Sequence, residues 1–280
     1  MSRLYETLRR MESNGDKVNS VQSPALQPFE LIKNAMAEPT EMDASPTAKV
    51  EIADTSRLVS FMDSRGLGAE KFRALVTRLE RQRKERDLRS LQITSAVGSE
   101  GKTLVSGNLA VTLARHTGAR VLVVEGDLHR PMLASLFGLR EVRGIGEWWQ
   151  ARDEKERISQ YVYRLNEIPL FFLGAGKLTD PPSQILQSAR FAETFVRLAN
   201  WFDWVVVDST PILPLIDANL WSRLVDGTLL VVREGVTPVR ALKKSIEMLD
   251  KPDLLGIVLN ESSEFDRTNY TDQYYGLTRT

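Results

Sequence analysis

Short apolar runs alternate along this chain with longer segments in which apolar residues recur at helical spacing. Runs of this kind are typical of strands that are buried on both faces, and they lie at Arg120–Glu125, Pro169–Leu173, Trp204–Asp208, Gly227–Val232 and Leu255–Leu259. A further short buried strand is expected at Leu91–Ser95. The helical patterns cover Gly68–Leu88, Lys102–His116, Ser183–Asn200, Asp217–Leu224 and Pro238–Leu249. Strands that alternate with helices predict an α/β fold, a mostly parallel twisted sheet with helices on both faces.

The first 55 residues have a different character. Residues Ser2–Glu12 can form an amphipathic helix with Leu4, Leu8 and Met11 on one side, which would pack on the protein's own core or dock on a partner or a membrane. Residues 16–55 are polar and proline-containing, as flexible linkers are. We therefore expect an N-terminal helix (1–15), a linker (16–55), an α/β domain (56–263) and a C-terminal tail (264–280).

Composition and charge narrow the classes of function. Lysine plus arginine and aspartate plus glutamate are both 37 in a chain of 280 residues, so the net charge gives no general attraction to nucleic acid. The absence of cysteine excludes disulfides and thiolate metal sites. No apolar run is long enough for a transmembrane helix, and the N-terminus lacks the apolar core of a signal peptide. These features predict a cytoplasmic protein that does not bind nucleic acid.

The segment that follows the first predicted strand, Leu91–Ser95, carries a phosphate-binding pattern. Ala96 is followed after four residues by Gly101-Lys102-Thr103, which is the P-loop pattern with alanine in place of its first glycine. In such a loop, free backbone N–H groups and the positive end of the helix face the phosphates. We expect Lys102 to face solvent until it contacts the terminal phosphates, and Thr103 to bind Mg²⁺. The nucleotide-binding residues would be Gly98, Ser99, Glu100, Gly101, Lys102, Thr103 and Leu104.

Two of the predicted strands end in carboxylates. The second strand leads into Glu125-Gly126-Asp127, and the fourth ends at Asp208. Ligands of parallel α/β proteins bind at the carboxyl ends of the strands, and Mg²⁺ prefers oxygen ligands. Either acid alone could be an ordinary strand end. Together, downstream of a P-loop, they favour a Mg²⁺ site formed by Thr103, Asp127 and Asp208.

These motifs in combination resemble those of the bacterial tyrosine kinase family. Ala96–Thr103, Glu125–Arg130 and Asp208–Pro211 are similar to its Walker A, Walker A′ and Walker B motifs. The resemblance implies a deviant P-loop NTPase fold and an ATP- and Mg²⁺-dependent protein-tyrosine autokinase that regulates capsular or exopolysaccharide synthesis and export. It also implies that Lys102, Glu125, Asp127 and Asp208 are catalytic, with Glu125 accepting the tyrosine proton, and that Asn260 belongs to the nucleotide site.

The resemblance extends to a tyrosine-containing C-terminus. Members of the family mainly phosphorylate a C-terminal tyrosine cluster of a neighbouring subunit, which implies that Tyr270, Tyr274 and Tyr275 are the phosphoacceptors. Their polar, acidic surroundings predict an exposed and mobile tail. The implied partners are a membrane adaptor with an activating cytoplasmic tail, a cognate phosphatase and further copies of the chain. The adaptor would recruit the protein to the inner face of the membrane.

Three positions differ from the usual motifs of the family. Glu125 and His129 stand where the second motif has aspartate and arginine, and Val76 stands at the second arginine of an oligomerisation motif, Glu-x-x-Arg-x-x-Arg. A non-catalytic, ATP-dependent switch of the export machinery would tolerate these changes and is an alternative. A ParA- or MinD-like positioning ATPase is a second alternative, although Val97 occupies the place of the second lysine typical of those proteins.

Overall fold

Eight strands form one sheet in the computed structural model, which describes residues 45–50, 57–151, 156–165, 168–249 and 254–262. The strands follow each other in the order β1-β4-β5-β3-β6-β2-β7-β8. Their bounds are β1 Thr47–Ala48, β2 Ser90–Ser95, β3 Val121–Glu125, β4 Val162–Leu165, β5 Leu170–Leu173, β6 Trp204–Asp208, β7 Gly227–Arg233 and β8 Leu254–Asn260. The predicted N-terminal helix, most of the linker and the three tail tyrosines lie outside the described residues.

Helices cover both faces of this sheet. Their bounds are α1 Val59–Met62, α2 Leu67–Glu85, α3 Lys102–Thr117, α4 Leu133–Leu136, α5 Ile145–Ala151, α6 Pro182–Leu186, α7 Ala189–Ala199, α8 Asp217–Leu224 and α9 Val239–Met248, with a 3₁₀ helix at Ile158–Tyr161. One apolar core contains side chains of α2, α3 and α4, and a second core contains side chains of α5 to α8. The predicted α/β fold, a mostly parallel sheet between two helical layers, is confirmed.

Two short strands, the short helices α1, α4 and α5, and one helix break were not predicted. β4 pairs antiparallel with β5, and β1, which falls in the predicted linker, pairs parallel with β4. Both strands are too short to give a clear periodicity. The predicted helix Ser183–Asn200 is two helices, α6 and α7, because the Ser188 hydroxyl accepts a hydrogen bond from the Phe191 N–H at 3.1 Å and so starts a new helix.

The order of the central strands brings the candidate motifs together. β6 lies between β3 and β2, and Asp208 is in register with Glu125 on one side and with Ile93 on the other. The three segments that follow β2, β3 and β6 therefore meet at the carboxyl edge of the sheet.

Candidate functional site

The P-loop turns into α3 through a left-handed glycine. Gly101 has a φ of 92°, and a Cβ atom at this position would lie 2.1 Å from Nδ2 of Asn260. That amide group donates a hydrogen bond to the Glu100 carbonyl at 2.9 Å. Only glycine fits this turn without strain, and Asn260, at the end of β8, is in contact with the loop as its assignment to the nucleotide site requires.

The buried side chain of Glu100 stabilises the P-loop through hydrogen bonds. Its buried carboxylate accepts a hydrogen bond from the Val97 N–H at 3.0 Å and another from the Thr237 hydroxyl. The same Thr237 oxygen accepts a hydrogen bond from the Arg233 N–H at 2.9 Å. The loop is thereby tied to the turn between β7 and α9. Sequence patterns gave no signal for this bond, because Thr237 lies far along the chain.

Lys102 is not solvent-facing, contrary to the expectation from the sequence. Its ammonium group lies 2.9 Å from Oδ2 of Asp127, and the two side chains are only 13% and 6% exposed. The other oxygen of Asp127, Oδ1, accepts a hydrogen bond from the Arg130 N–H at 3.0 Å. The first turn of α3 and the loop after β3 are therefore held together by a largely buried ion pair, which incoming phosphates would have to share.

Asp208 has the properties expected of a metal ligand. Oδ1 accepts a hydrogen bond from the Ser106 hydroxyl at 3.2 Å, whereas Oδ2 is buried and has no hydrogen-bond partner among the described residues. Burial raises the pKa of Asp208 to about 7, although the nearby Lys102 ammonium and Thr103 hydroxyl oppose the shift. A buried carboxylate oxygen without a partner is destabilising unless a proton or a cation satisfies it.

The donor set fits Mg²⁺. The described residues contain no group of three or more carboxylate, histidine or cysteine side chains that could cage a metal. Mg²⁺ does not need such a cage, since it commonly keeps several waters and binds one or two carboxylates together with substrate phosphates. Asp208 and Thr103, with the nearby Asp127, could supply those oxygens.

Glu125 is not brought into the cleft. Its carboxylate is buried and accepts hydrogen bonds from the Ala134 N–H at 2.9 Å and the Ala175 N–H at 3.1 Å. These bonds fix the start of α4 and the segment that follows β5. The geometry therefore gives Glu125 a positioning role, and Asp127 is the carboxylate of the second motif that lines the cleft.

His129 holds the second motif against α8. Its Nε2 atom lies 2.8 Å from Oδ2 of Asp217, the first residue of α8. The Trp221 indole N–H donates to the Gly126 carbonyl at 3.0 Å in the same region. Burial raises the pKa of Asp217 above its usual value, although the adjacent His129 opposes this shift. The side chain at the family's arginine position thus contacts a neighbouring helix, and both it and the next residue, Arg130, line the cleft.

The cleft has a volume of about 1630 Å³ and lies between the P-loop and the segments that follow β3, β6, β7 and β8. The expected residues that line it are Gly98, Ser99, Gly101, Lys102, Thr103, Leu104, Asp127 and Asn260. Arg130, the last residue of the second motif, also lines it, together with residues that the sequence did not single out, among them Arg57, Met132, Arg140, Leu213 and Arg233. A loop of backbone amides, a lysine and a buried carboxylate at one edge of a parallel sheet can bind the phosphates of a nucleotide.

The fold and the cleft together define a P-loop nucleotide-binding protein. Residues 91–276 match the model of the CobQ/CobB/MinD/ParA nucleotide binding domain. Among solved structures, the cell division ATPase MinD of Pyrococcus furiosus superposes with a TM-score of 0.51 at 23% identity and covers 61% of this chain and 71% of its own. This likeness concerns the fold alone.

Two related sequences and a solved structure identify the family within that class. The tyrosine-protein kinase YwqD of Bacillus subtilis is 30% identical over 221 residues, 78% of this chain and 91% of YwqD. The putative tyrosine-protein kinase CapB of Staphylococcus aureus is 30% identical over 210 residues, 74% of this chain and 90% of CapB. The solved BceF tyrosine kinase domain is 25% identical, with a TM-score of 0.63, and covers 86% of this chain and 98% of its own. The chain belongs to the bacterial tyrosine-protein kinase family, as its motifs predicted.

Proposed function

We propose that this protein is an ATP- and Mg²⁺-dependent protein-tyrosine kinase that phosphorylates itself and regulates capsular or exopolysaccharide synthesis and export. The observation that carries the proposal is the grouping of Lys102, Asp127 and Asp208 around a P-loop, in a chain that is 30% identical to a tyrosine-protein kinase over most of its length. Family membership supplies the reaction, and the cleft supplies groups that suit it.

Each of these residues has a role in phosphoryl transfer. The tyrosine oxygen forms a bond to the γ-phosphorus, the bond from that phosphorus to the β–γ bridging oxygen breaks, and ADP leaves. Lys102 and the P-loop amides neutralise the charge that moves onto the phosphates, which is the main requirement of such a transfer. Asp127, which lines the cleft beside Lys102, would receive the phenolic proton. Bound Mg²⁺ would be held by Thr103 and Asp208 and would neutralise the β- and γ-phosphate oxygens.

The test is to incubate the full chain with ATP and Mg²⁺ and to map phosphotyrosine by mass spectrometry. We expect phosphate on Tyr270, Tyr274 and Tyr275, and none in a Lys102→Met variant incubated alone. The Lys102→Met variant should be labelled when it is mixed with active protein, because transfer occurs between molecules. A triple Tyr→Phe variant should stay unlabelled in the same mixture.

The Lys102 variant needs a control for folding. Lys102→Met leaves the largely buried Asp127 without its counter-charge, which destabilises the apo protein. A Lys102→Met/Asp127→Asn double variant removes both charges and should recover much of the lost stability without recovering activity. If the well-folded double variant still phosphorylates itself, the assigned site is wrong.

A nucleotide-dependent switch without kinase activity is the second candidate. The placement of Glu125 favours it, because the acid expected to take the tyrosine proton is buried and bonded to two backbone amides. This candidate predicts ATP-dependent changes in conformation or assembly with no phosphotyrosine on any residue, even when the adaptor's cytoplasmic tail is supplied. Asp208→Asn should then weaken nucleotide binding more with Mg²⁺ than without it, as it should in the kinase.

The partners follow from the family and remain part of the proposal. No helix among the described residues is long and apolar enough to cross a bilayer. We propose that a separate membrane adaptor activates the chain through a cytoplasmic tail, that a phosphatase removes the phosphates, and that copies of the chain associate during transfer. Co-purification of the full chain with a membrane fraction, with and without the adaptor, would test the first of these.

A further inference from the structure

The two edge strands of the sheet differ in length. β1, at one edge, has two residues, whereas β8, at the other edge, has seven, and none of the seven is charged or a proline. Within the part of the chain that the structure describes, β8 pairs with β7 alone. Long, uncharged edge strands pair readily with another strand, and proteins usually shorten, charge or cover them. The side of β8 that faces away from β7, which we call the open edge, is therefore a candidate interface.

The backbone of β8 directs polar groups of Ile257 and Leu259 toward the open edge. The Asn260 carbonyl accepts a hydrogen bond from the Glu234 N–H at 3.1 Å, so the backbone of Asn260 faces the β7 side. The pairing with β7 runs from Gly256 to Asn260 without a register shift, and successive residues of a strand direct their backbone groups to opposite sides. The N–H and C=O groups of Ile257 and Leu259 therefore face away from β7.

The side chains of the same two residues form an apolar surface beside the open edge. Ile257 and Leu259 are each 49% exposed. They are in register with Leu230 and Val232 of β7, which are buried in the small core beneath α9. Residues in register lie on the same face of a sheet. The α9 helix thus covers the residues of β7 and leaves those of β8 half-exposed.

Contacts within the chain occupy both ends of β8. At the amino end, the Leu255 carbonyl accepts a hydrogen bond from Nε2 of Gln82 on α2 at 3.2 Å. Beyond the carboxyl end, Glu261 forms an ion pair with Arg233. The stretch between these contacts, Gly256–Asn260, is the part of the open edge that another strand can use.

A second copy of the chain has the geometry to pair with this stretch. Two antiparallel β8 strands related by a two-fold axis at Val258 place Ile257 of each copy opposite Leu259 of the other. Each of these two pairs exchanges two backbone hydrogen bonds, so all the outward groups of both residues are satisfied. Apolar side chains lie opposite each other and no like charges meet. The symmetry is closed, so association ends at a dimer.

We propose that two copies of this chain associate through the open edges of β8 and join their sheets into one continuous antiparallel junction. A second copy suits this edge because its own sequence supplies isoleucine opposite leucine, without charge, at both pairs. The contact does not use position 76, where Val76 replaces an arginine of the family's oligomerisation motif and is 1% exposed. It requires neither nucleotide nor phosphoryl transfer, so it does not depend on the proposed function.

The absence of cysteine from the chain allows a direct test of the register. In the proposed dimer Val258 lies opposite Val258 of the other copy in a non-hydrogen-bonded pair, with Cα atoms about 4.5 Å apart, which is within the range of a disulfide. Full-length Val258→Cys should therefore form a covalent dimer on mild oxidation without nucleotide. Ile216→Cys is the control, because Ile216 is 55% exposed and lies outside β8; it should cross-link far more slowly.

Sedimentation velocity over a range of concentrations measures the association itself. Ile257→Lys should weaken the dimer about five- to thirtyfold, because the two-fold axis places the change in both cross-strand pairs. Ile216→Lys, the matched control, should associate like the parent protein. A mixture of Ile257→Lys with Leu259→Glu should associate more tightly than either variant alone, because lysine and glutamate then lie opposite each other.

A proline tests the backbone hydrogen bonds. Ile257→Pro removes an N–H group that faces the open edge, and proline is tolerated at such positions of an edge strand. The variant should therefore keep the circular dichroism spectrum of the parent and lose association to a similar extent as Ile257→Lys. Retention of the dimer by this folded variant would count against pairing through β8.

Three further results would overturn the inference. The parent protein could remain monomeric at every concentration, or Val258→Cys could cross-link no faster than Ile216→Cys. Dimers that persist unchanged in Ile257→Lys would show that copies meet through another surface. Amide hydrogens of Ile257 and Leu259 that are protected from exchange at every concentration would show that another segment of the same chain covers the open edge. The proposal instead expects protection that rises with concentration.

Discussion

Glu125→Gln separates a catalytic role from a positioning role at the second motif. In the structure, the Glu125 carboxylate is 2% exposed and accepts one backbone hydrogen bond from Ala134 and one from Ala175. Glutamine has nearly the same shape, but its amide group can accept only one of these bonds in place of the two. Its NH₂ group would face the other backbone N–H, which then becomes a buried donor without a partner.

The size of the effect follows from these contacts. A hydrogen bond to a charged group is worth about 1.5–3 kcal/mol, and a buried donor left unpaired costs about 1–3 kcal/mol. We therefore expect Glu125→Gln to lower the free energy of unfolding by about 3 kcal/mol. For a domain of this size the melting temperature should fall by roughly 6–12 °C. Glu147→Gln is the matched control, because Glu147 also accepts hydrogen bonds from two backbone N–H groups, those of Gly144 and Lys177.

The assay combines thermal unfolding, followed by circular dichroism, with autophosphorylation measured well below the melting temperature. If Glu125 positions α4 and the loop after β5, the folded fraction of Glu125→Gln should transfer phosphate within about tenfold of the parent rate. Loss of a general base would instead cost about 10²–10⁴ in rate. A variant that melts like the parent and yet loses activity on that scale would refute the positioning role and restore Glu125 as the base.

Three further predictions concern the P-loop and its supports. Gly101→Ala and Gly118→Ala both force alanine into a left-handed conformation, at about 1–2 kcal/mol each, but calorimetry should show loss of nucleotide binding only for Gly101→Ala. Since the pKa of Asp208 rises from 3.8 to about 7 on folding, the apo protein should lose stability as the pH rises from about 4 to 7, and Asp208→Asn should flatten this dependence in denaturant titrations. Thr237→Val removes a partner of the buried Glu100 carboxylate; it should cost about 1–3 kcal/mol of stability and weaken nucleotide binding in the same calorimetric assay.

The sequence predicts the central architecture well for a physical reason. A strand covered on both faces, such as β6, is apolar along nearly its whole length, so β6 has the bounds that its apolar run indicates. The bounds of α8 are those of its helical spacing. The P-loop is equally visible, since its glycines and lysine are close together in the chain. The short strands β1 and β4 carry no such signal, because a strand of two to four residues is set by its neighbours rather than by its own composition.

The sequence did not predict the burial and the hydrogen-bond partners of the motif residues. Lys102 pairs with Asp127, and the Glu125 carboxylate accepts hydrogen bonds from two backbone N–H groups. All of these partners are distant along the chain. A motif gives the kind of residue at a position, whereas its burial and its partners come from packing. For this reason Lys102, which was expected in solvent, is largely buried, and the carboxylate of Glu125 accepts hydrogen bonds from two backbone N–H groups.

The orientation of α2 limits how copies of this chain can associate. Positions three residues apart on a helix are rotated by about 60° from one to the next, so Glu70, Arg73 and Val76 progress around its surface. Arg73 is bound to Glu70 and to the Ser64 carbonyl, whereas Val76 is 1% exposed and packs in the core with α3. An arginine at position 76 would need to bury its charge, which is strongly unfavourable without a partner. A contact that uses a cation at this position is therefore closed to this chain, and the association of copies that we propose would have to use other surfaces.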